Sequence, residues 1–165
     1  TSINNENNNN NNINVITIKK ETNQQIETIK PKKPIALCVD DSILNQRFLG
    51  KILEPHFEIK FAVNGLCAVE IITNSIQSNN PIDVIFMDNV MPVMDGLEAT
   101  HKIRELGYSS PIIGVTGNCL PEQIEEFIAH GATTVLQKPL TVDLFRNAIY
   151  HVMGSKAPKT LSNTH

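Results

Sequence analysis

From Ile35 onward the chain alternates two rhythms of apolar residues: short blocks of four or five, and longer stretches whose apolar positions recur every three or four residues. That alternation is the mark of strand–helix units joined into a parallel sheet. Ile35 to Val39 predicts a first strand. Leu44, Phe48, Leu49, Ile52 and Leu53 predict a helix whose apolar stripe faces the sheet, stopped by Pro55. Phe57 to Val63 alternates, as an edge strand does, and Asn64-Gly65 then turns the chain into a helix over about 66–75 with Ala68, Val69, Ile71 and Ile72 inward. Past a loop at 78–81, Val84 to Met87 fits a short strand buried on both faces, because Asp88, Pro92 and Gly96 interrupt any longer apolar period. A helix over about 96–106 closes on Gly107, and Ile112 to Val115 form a fourth strand. Pro121 suits the first turn of a helix running to about His130, and Gly131 suits its C-terminal cap. Thr134 to Leu136 make a short fifth strand, and a last helix over about 142–153 buries Leu144, Phe145, Ala148, Ile149 and Val152.

Outside this pattern the chain reads differently. Residues 1–33 are rich in asparagine, with an unbroken run from Asn7 to Asn12, and such a tract cannot bury enough apolar surface to offset the entropy of ordering. We expect a disordered linker over 1–33, one folded domain over 34–154 and a flexible polar tail over 155–165. The first residue is Thr1 rather than Met, which suggests a fragment linked to an upstream domain.

Composition narrows the function. A length of 165 residues holds one ordinary domain, and a net charge of -3 without a basic stripe or aromatic platform argues against nucleic acid as a partner. No apolar run approaches the roughly 18 residues that span a bilayer, and no signal peptide opens the chain. The expected location is cytoplasmic with no membrane contact by this segment, which leaves a membrane-attached parent protein open. Cys38, Cys67 and Cys119 have no metal-ligand spacing and are odd in number, so they read as reduced thiols serving as small core residues.

In a parallel sheet the strand ends share one edge, and here they carry Asp40 and Asp41, then Asp88, Thr116 and Lys138. Three converging carboxylates repel one another unless a cation joins them. Mg²⁺ suits an all-oxygen donor set better than zinc does. Lys138 and Thr116 are groups wanted around a doubly charged phosphoryl moiety, and a carboxylate can act as the nucleophile that accepts it. The pattern therefore points to metal-assisted phosphoryl transfer onto one aspartate. Each residue also has a local explanation. Asp41 or Ser42 can cap the first helix, Asp95 belongs to the turn before Gly96, Lys138 can be merely solvated, and Thr116 can simply end a strand. Their succession at consecutive strand ends favours a shared site.

Val-Asp-Asp-Ser at 39–42, Met-Asp-Asn-Val-Met-Pro-Val-Met-Asp-Gly at 87–96, Gly-Val-Thr-Gly-Asn at 114–118 and Lys-Pro at 138–139 together resemble the receiver domain of two-component response regulators and hybrid histidine kinases. The resemblance covers roughly 34–154. It implies a flavodoxin-like, three-layer α/β fold, a five-stranded parallel sheet of order 2-1-3-4-5 with five helices. It implies Asp88 as phosphoacceptor, Mg²⁺ held by Asp40, Asp41, Asp88 and the backbone carbonyl of Val90, and phosphoryl contacts from Thr116 and Lys138. It further implies open access at Gly117 and a cis Lys138-Pro139 bond. The implied donor is a phosphohistidine, on a histidine phosphotransfer protein or a histidine kinase. Val135 is the one departure, since the family usually places an aromatic residue three positions before the lysine.

The leading expectation is the C-terminal receiver of a hybrid histidine kinase, able to promote its own phosphorylation and dephosphorylation. No ATP-binding glycine-rich loop is present, and none of His56, His101, His130, His151 or His165 sits in a kinase phosphoacceptor context. A stand-alone response regulator is second. A Mg²⁺-dependent aspartyl-phosphate phosphohydrolase would need an acid two residues past the nucleophile, where this chain has Val90. The complete acidic site argues against a pure interaction module.

Overall fold

Strands β1 (Ile35–Val39), β2 (Glu58–Ala62), β3 (Val84–Asp88), β4 (Ile112–Thr116) and β5 (Thr134–Gln137) pair in parallel in the order 2-1-3-4-5. Helices α1 (Ile43–Leu53), α2 (Gly65–Gln77), α3 (Gly96–Glu105), α4 (Pro121–Ala129) and α5 (Val142–Met153) follow the strands in turn. The flavodoxin-like fold expected from sequence is the one found. The computed structural model describes residues 32–118 and 120–163, so Cys119 and nearly all of the expected linker lie outside the described residues. No helix among the described residues is long and apolar enough to cross a membrane.

β1, β3 and β4 are buried at every position, as strands covered on both faces must be. Neighbouring residues on each strand feed opposite layers. Leu37 and Ile85 join Ile72, Ile103 and Phe127 beneath α2, α3 and α4. Cys38 and Phe86 join Leu49, Leu53, Phe145 and Ile149 beneath α1 and α5. Cys38 is thus the core thiol expected; burial first, and the charge of Asp40 second, push it up to about 12. β2, at the edge, is only partly covered.

Four helices start on a side chain that accepts a backbone N–H three residues on: Ser42 for α1, Asn64 for α2, Asp95 for α3 and Thr141 for α5. Each such cap contributes about 1 kcal/mol and fixes where the chain turns back from the strand ends. α4 starts on Pro121 instead. Gly107 and Gly131 carry the positive φ values of +85° and +107° that end α3 and α4.

Three expectations about burial are corrected. The sequence pattern places Leu44 and Phe48 on the sheet-facing stripe of α1, yet they are 76% and 45% exposed while Leu49 and Leu53 are buried. Residues 44 and 48 share one line along the helix and 49 and 53 another, so five apolar residues span more than the face the sheet can cover. Leu144 of α5 is likewise exposed, whereas Phe145, Ala148 and Ile149 are buried. Finally, the stretch after Gly154 does not simply trail away. Two 3₁₀ turns, Gly154–Lys156 and Lys159–Asn163, set Ala157 and Leu161 into the α1/α5 layer. Thr160 Oγ1 lies 2.7 Å from His56 Nδ1. Burial, then the charges of Lys33 and Arg146, hold that imidazole below its ordinary pKa and so favour its neutral form. Leu161 is 4% exposed, and Leu161→Ala is expected to cost about 2–3 kcal/mol, read as a lower urea midpoint at unchanged slope.

Candidate functional site

The C-terminal ends of β1, β3, β4 and β5 deliver the polar residues that the sequence placed there. Asp40 follows β1, and its N–H donates to the Ala62 carbonyl at 3.1 Å. Asp88 is the last residue of β3 and Thr116 the last of β4. Lys138 follows β5 and donates its N–H to the Thr116 carbonyl at 2.8 Å. Its peptide bond to Pro139 is cis, as expected.

Lys138 Nζ lies 2.7 Å from Asp88 Oδ1 and 3.2 Å from Asp40 Oδ2, bridging two strands. Asp40 Oδ1 also accepts the Ser42 N–H at 2.8 Å, and both its oxygens accept from Asn45 Nδ2, at 3.1 and 3.0 Å. Asp40, Asp41 and Asp88 each offer an oxygen within 4.8 Å of the others. Asp40 and Asp88 are buried and Asp41 is exposed, so the cluster has one wet side.

The electrostatics are unbalanced. Burial raises the Asp88 pKa above its ordinary value; the hydrogen bond and charge of Lys138 oppose this, while Asp40 and Asp41 add to it. For Lys138, burial pulls the pKa down, but the hydrogen bond and charge of Asp88, with those of Asp40, lift it above the ordinary value. One ammonium therefore stays firmly charged among three carboxylates that it does not fully neutralise. A hard divalent cation fits what is left. The donors are all oxygens and the exposed carboxylate leaves a side open to water and ligand, which is the arrangement Mg²⁺ takes.

The other residues singled out from sequence sit as follows. Val90 is two residues past Asp88 in the β3–α3 loop and 78% exposed. In the same loop Val93 holds φ at +72°, a region β-branched residues rarely enter and one associated with functional loops. Asp95 caps α3 through a 2.8 Å bond from the Glu98 N–H, so it belongs to the turn and not to the cluster. Gly96 packs so closely on the end of β3 that a Cβ there would run into the Asp88 carbonyl. A Cβ at Gly117 would meet nothing within 4 Å, which leaves the approach beside Thr116 open. Thr116 is buried; its hydroxyl donates to the Asn118 carbonyl at 3.0 Å and accepts the Asn118 N–H at 3.1 Å. Val135 lies opposite Gly114 on β5, half-buried against the layer that contains Phe127.

Two residues escaped the sequence reading. Asn45 grips Asp40, and Gln46 Nε2 ties the Asp40 and Ala62 carbonyls together at 2.8 and 3.1 Å. The available signal was their place in the first turn of α1, where side chains lean back toward the preceding strand end. Next to them, a groove of about 370 Å³ runs from Asp40 and Lys138 past Phe48 and Leu49 to Pro139 and Leu140.

A doubly wound sheet with a lysine-bridged acidic pocket at its carboxyl edge defines a phosphoryl-accepting signalling domain. The chain belongs to the response regulator receiver domain family, whose pattern matches residues 36–150, and it therefore works in two-component phosphorelay signalling. It is 34% identical over 140 residues to two-component system protein A of Emericella nidulans, covering 84% of this chain and 20% of that protein. It is 36% identical over 114 residues to the sensor histidine kinase RcsC of Escherichia coli K12, covering 68% of this chain and 12% of that protein. The chain thus spans a fifth or less of either relative. Among solved structures it is similar to the co-crystal of the Saccharomyces cerevisiae histidine phosphotransfer signaling protein Ypd1 with the receiver domain of its downstream response regulator Ssk1. That match has a TM-score of 0.66 at 26% identity, covering 78% of this chain and 94% of that one.

Proposed function

We propose that this chain is the receiver of a hybrid histidine kinase, acting in the cytoplasm and taking a phosphoryl group from a phosphohistidine onto Asp88. The observation that carries the reading is Lys138 Nζ, held between Asp88 and Asp40 inside an acidic cluster with one open side. An Asp88 carboxylate oxygen attacks the phosphorus in line with the phosphorus–nitrogen bond. The new phosphorus–oxygen bond forms as the old one breaks, and its electron pair leaves on the imidazole of the donor. Lys138, already at 2.7 Å from Asp88, follows the charge onto a phosphoryl oxygen. Thr116 turns its hydroxyl from Asn118 to a second oxygen. Asp40, Asp41, Asp88 and the Val90 carbonyl would hold Mg²⁺, which supplies neutralisation of the charge shared between Asp88 and the incoming group.

A histidine phosphotransfer protein is the proposed donor or recipient. Ile43, Leu44 and Phe48 of α1 are exposed, Phe48 on the groove that leads to Lys138, and they offer apolar surface on the helix that carries Asn45. The receiver–phosphotransfer complex described above supports this choice. The likeness to a sensor histidine kinase that is much longer than this chain supports a kinase parent, with residues 34–154 as the receiver and the asparagine-rich 1–33 as a linker. ATP-dependent kinase activity belongs to that parent and not to this segment.

Val135 has no ring to swing between exposed and buried positions, so phosphorylation should alter the face built by α4 and β5 only modestly, leaving relay as the main task. Amide chemical shifts with and without a phosphate mimic should move chiefly around Asp88, Thr116 and Lys138. Large shifts throughout α4 and β5 would reject this view.

The central reading is tested with Mg²⁺ and a small phosphodonor. One phosphoryl group per chain, stable in acid and labile in base, should map to Asp88 by mass spectrometry. Repeated turnover of the donor without a stoichiometric adduct would instead favour a phosphohydrolase.

A further inference from the structure

Among the described residues β2 is an edge of the sheet, hydrogen-bonded to β1 and to no other strand. The Glu58 N–H donates to the Pro34 carbonyl, and the Ala62 carbonyl accepts the Asp40 N–H, so the even-numbered residues of β2 aim their backbone groups at β1. Ile59 and Phe61 therefore aim theirs away from the sheet, where another strand can reach them. The side chains alternate too. Ile59 packs with Leu49 and Leu53 under α1, and the ring of Phe61 lies against Gly50, whereas Ala62 belongs to the opposite layer. Glu58 and Lys60 share that opposite side. Phe61 is 44% and Val63 51% exposed, and a groove of about 520 Å³ lined by Gly50, Glu54, Phe57 and Ile59 runs beside Phe61.

We propose that this edge is a self-association surface on which β2 of a second copy pairs antiparallel about a two-fold axis at Ile59. The occupant follows from the charges. Antiparallel pairing keeps its hydrogen bonds only if outward-aimed residues oppose one another, so the axis moves in whole-residue steps through Glu58, Ile59, Lys60 or Phe61. An axis at Glu58 or Lys60 sets like charges face to face, and one at Phe61 leaves both charges without an opposite partner. At Ile59 alone, Glu58 of each copy faces Lys60 of the other, giving two ion pairs on one side of the joined sheet. On the other side Phe61 of each copy comes opposite Phe57, at the groove beside α1. A lysine on an edge strand ordinarily discourages edge pairing. Here Glu58, two residues away, turns the same lysine into the element that selects the register.

Neither charge belongs to the acidic pocket, so the surface can be tested apart from phosphorylation. Sedimentation equilibrium of the full 165-residue chain across micromolar to millimolar concentration should show a monomer–dimer equilibrium. Glu58→Lys and Lys60→Glu should each weaken it by roughly tenfold or more, since each replaces two attractive cross-strand pairs with two repulsive ones. An equimolar mixture of the two variants restores two opposite-charge pairs and should associate about as tightly as the parent. Unchanged far-UV circular dichroism would show that both variants remain folded. A chain that stays monomeric throughout, a dimer insensitive to either substitution, or a mixture no tighter than its components would overturn the proposal.

Discussion

Asp88→Asn is expected to abolish the phosphoryl adduct and, at the same time, to make the metal-free protein harder to unfold. The first effect follows from chemistry. An amide oxygen is a far weaker nucleophile than a carboxylate and cannot form the acyl phosphate, so the mass shift should fall to background. The second effect follows from burial. The folded pKa of Asp88 lies above its ordinary value of 3.8, chiefly through desolvation, so the native state binds a proton there more readily than the unfolded chain does. Linkage then makes the ionised carboxylate a destabilising group at neutral pH, a penalty that eases as pH falls through the folded value and is gone below 3.8. Asparagine keeps an oxygen for Lys138 and carries no charge. The variant's melting temperature should exceed the parent's most clearly near neutral pH, and the gap should close as pH falls into the carboxyl range. A less stable variant at pH 7 would mean that the bond to Lys138 outweighs the desolvation of Asp88.

Lys138→Met should act in the opposite direction on stability. Methionine keeps much of the apolar stem but leaves Asp40 and Asp88, with side chains 3% and 8% exposed, without their shared cation. Breaking a buried pair in this way costs about 3–5 kcal/mol, and the lysine's own side-chain exposure of 28% places the expected loss near the lower end. Added Mg²⁺ should recover part of that stability, because a cation returns to the cluster. It should not recover the rate. Losing one charge aimed at the transferring group slows such reactions about 10²–10³-fold, so the adduct from a small phosphodonor should build up that much more slowly. Urea titrations with and without Mg²⁺, paired with time courses of adduct formation, check both parts. A rate within a few-fold of the parent would remove Lys138 from the chemistry.

The contrast between these neighbours also explains why the pocket was so legible in the sequence. Strands covered on both faces read as unbroken apolar runs, and a polar residue that ends such a run must lie at the sheet edge. Asp40, Asp88 and Thr116 are legible in that way, whereas Lys138 follows β5, a short and only half-covered strand, and is legible by its place after that strand and before Pro139. The helices were harder. Periodicity marks an apolar stripe but not how much of it the sheet can cover, which is why Leu44, Phe48 and Leu144 were placed inward. Ala157 and Leu161 are two isolated apolar residues in a polar stretch, too few to make a period that announces their burial. Polar residues that serve a buried carboxylate or backbone carbonyls are silent as well. Asn45 and Gln46 look like an ordinary solvated helix start. Arg104 looks like a charge near a helix end, yet it donates to the carbonyls of Gly131, Tyr108 and Ser110 at 2.9, 2.7 and 2.8 Å, joining the α3–β4 and α4–β5 connections.

Thr116 has a single hydroxyl hydrogen, and in the resting domain it is engaged by the Asn118 carbonyl. Once that hydrogen is given to a phosphoryl oxygen, Asn118 is left without its donor at the head of the segment that leads into α4. The message would then leave the pocket as a vacancy rather than as a moving part. A domain whose 135 position carries only valine can still report its phosphorylation by what it lets go, and the amide of Asn118 is where that release should first be seen.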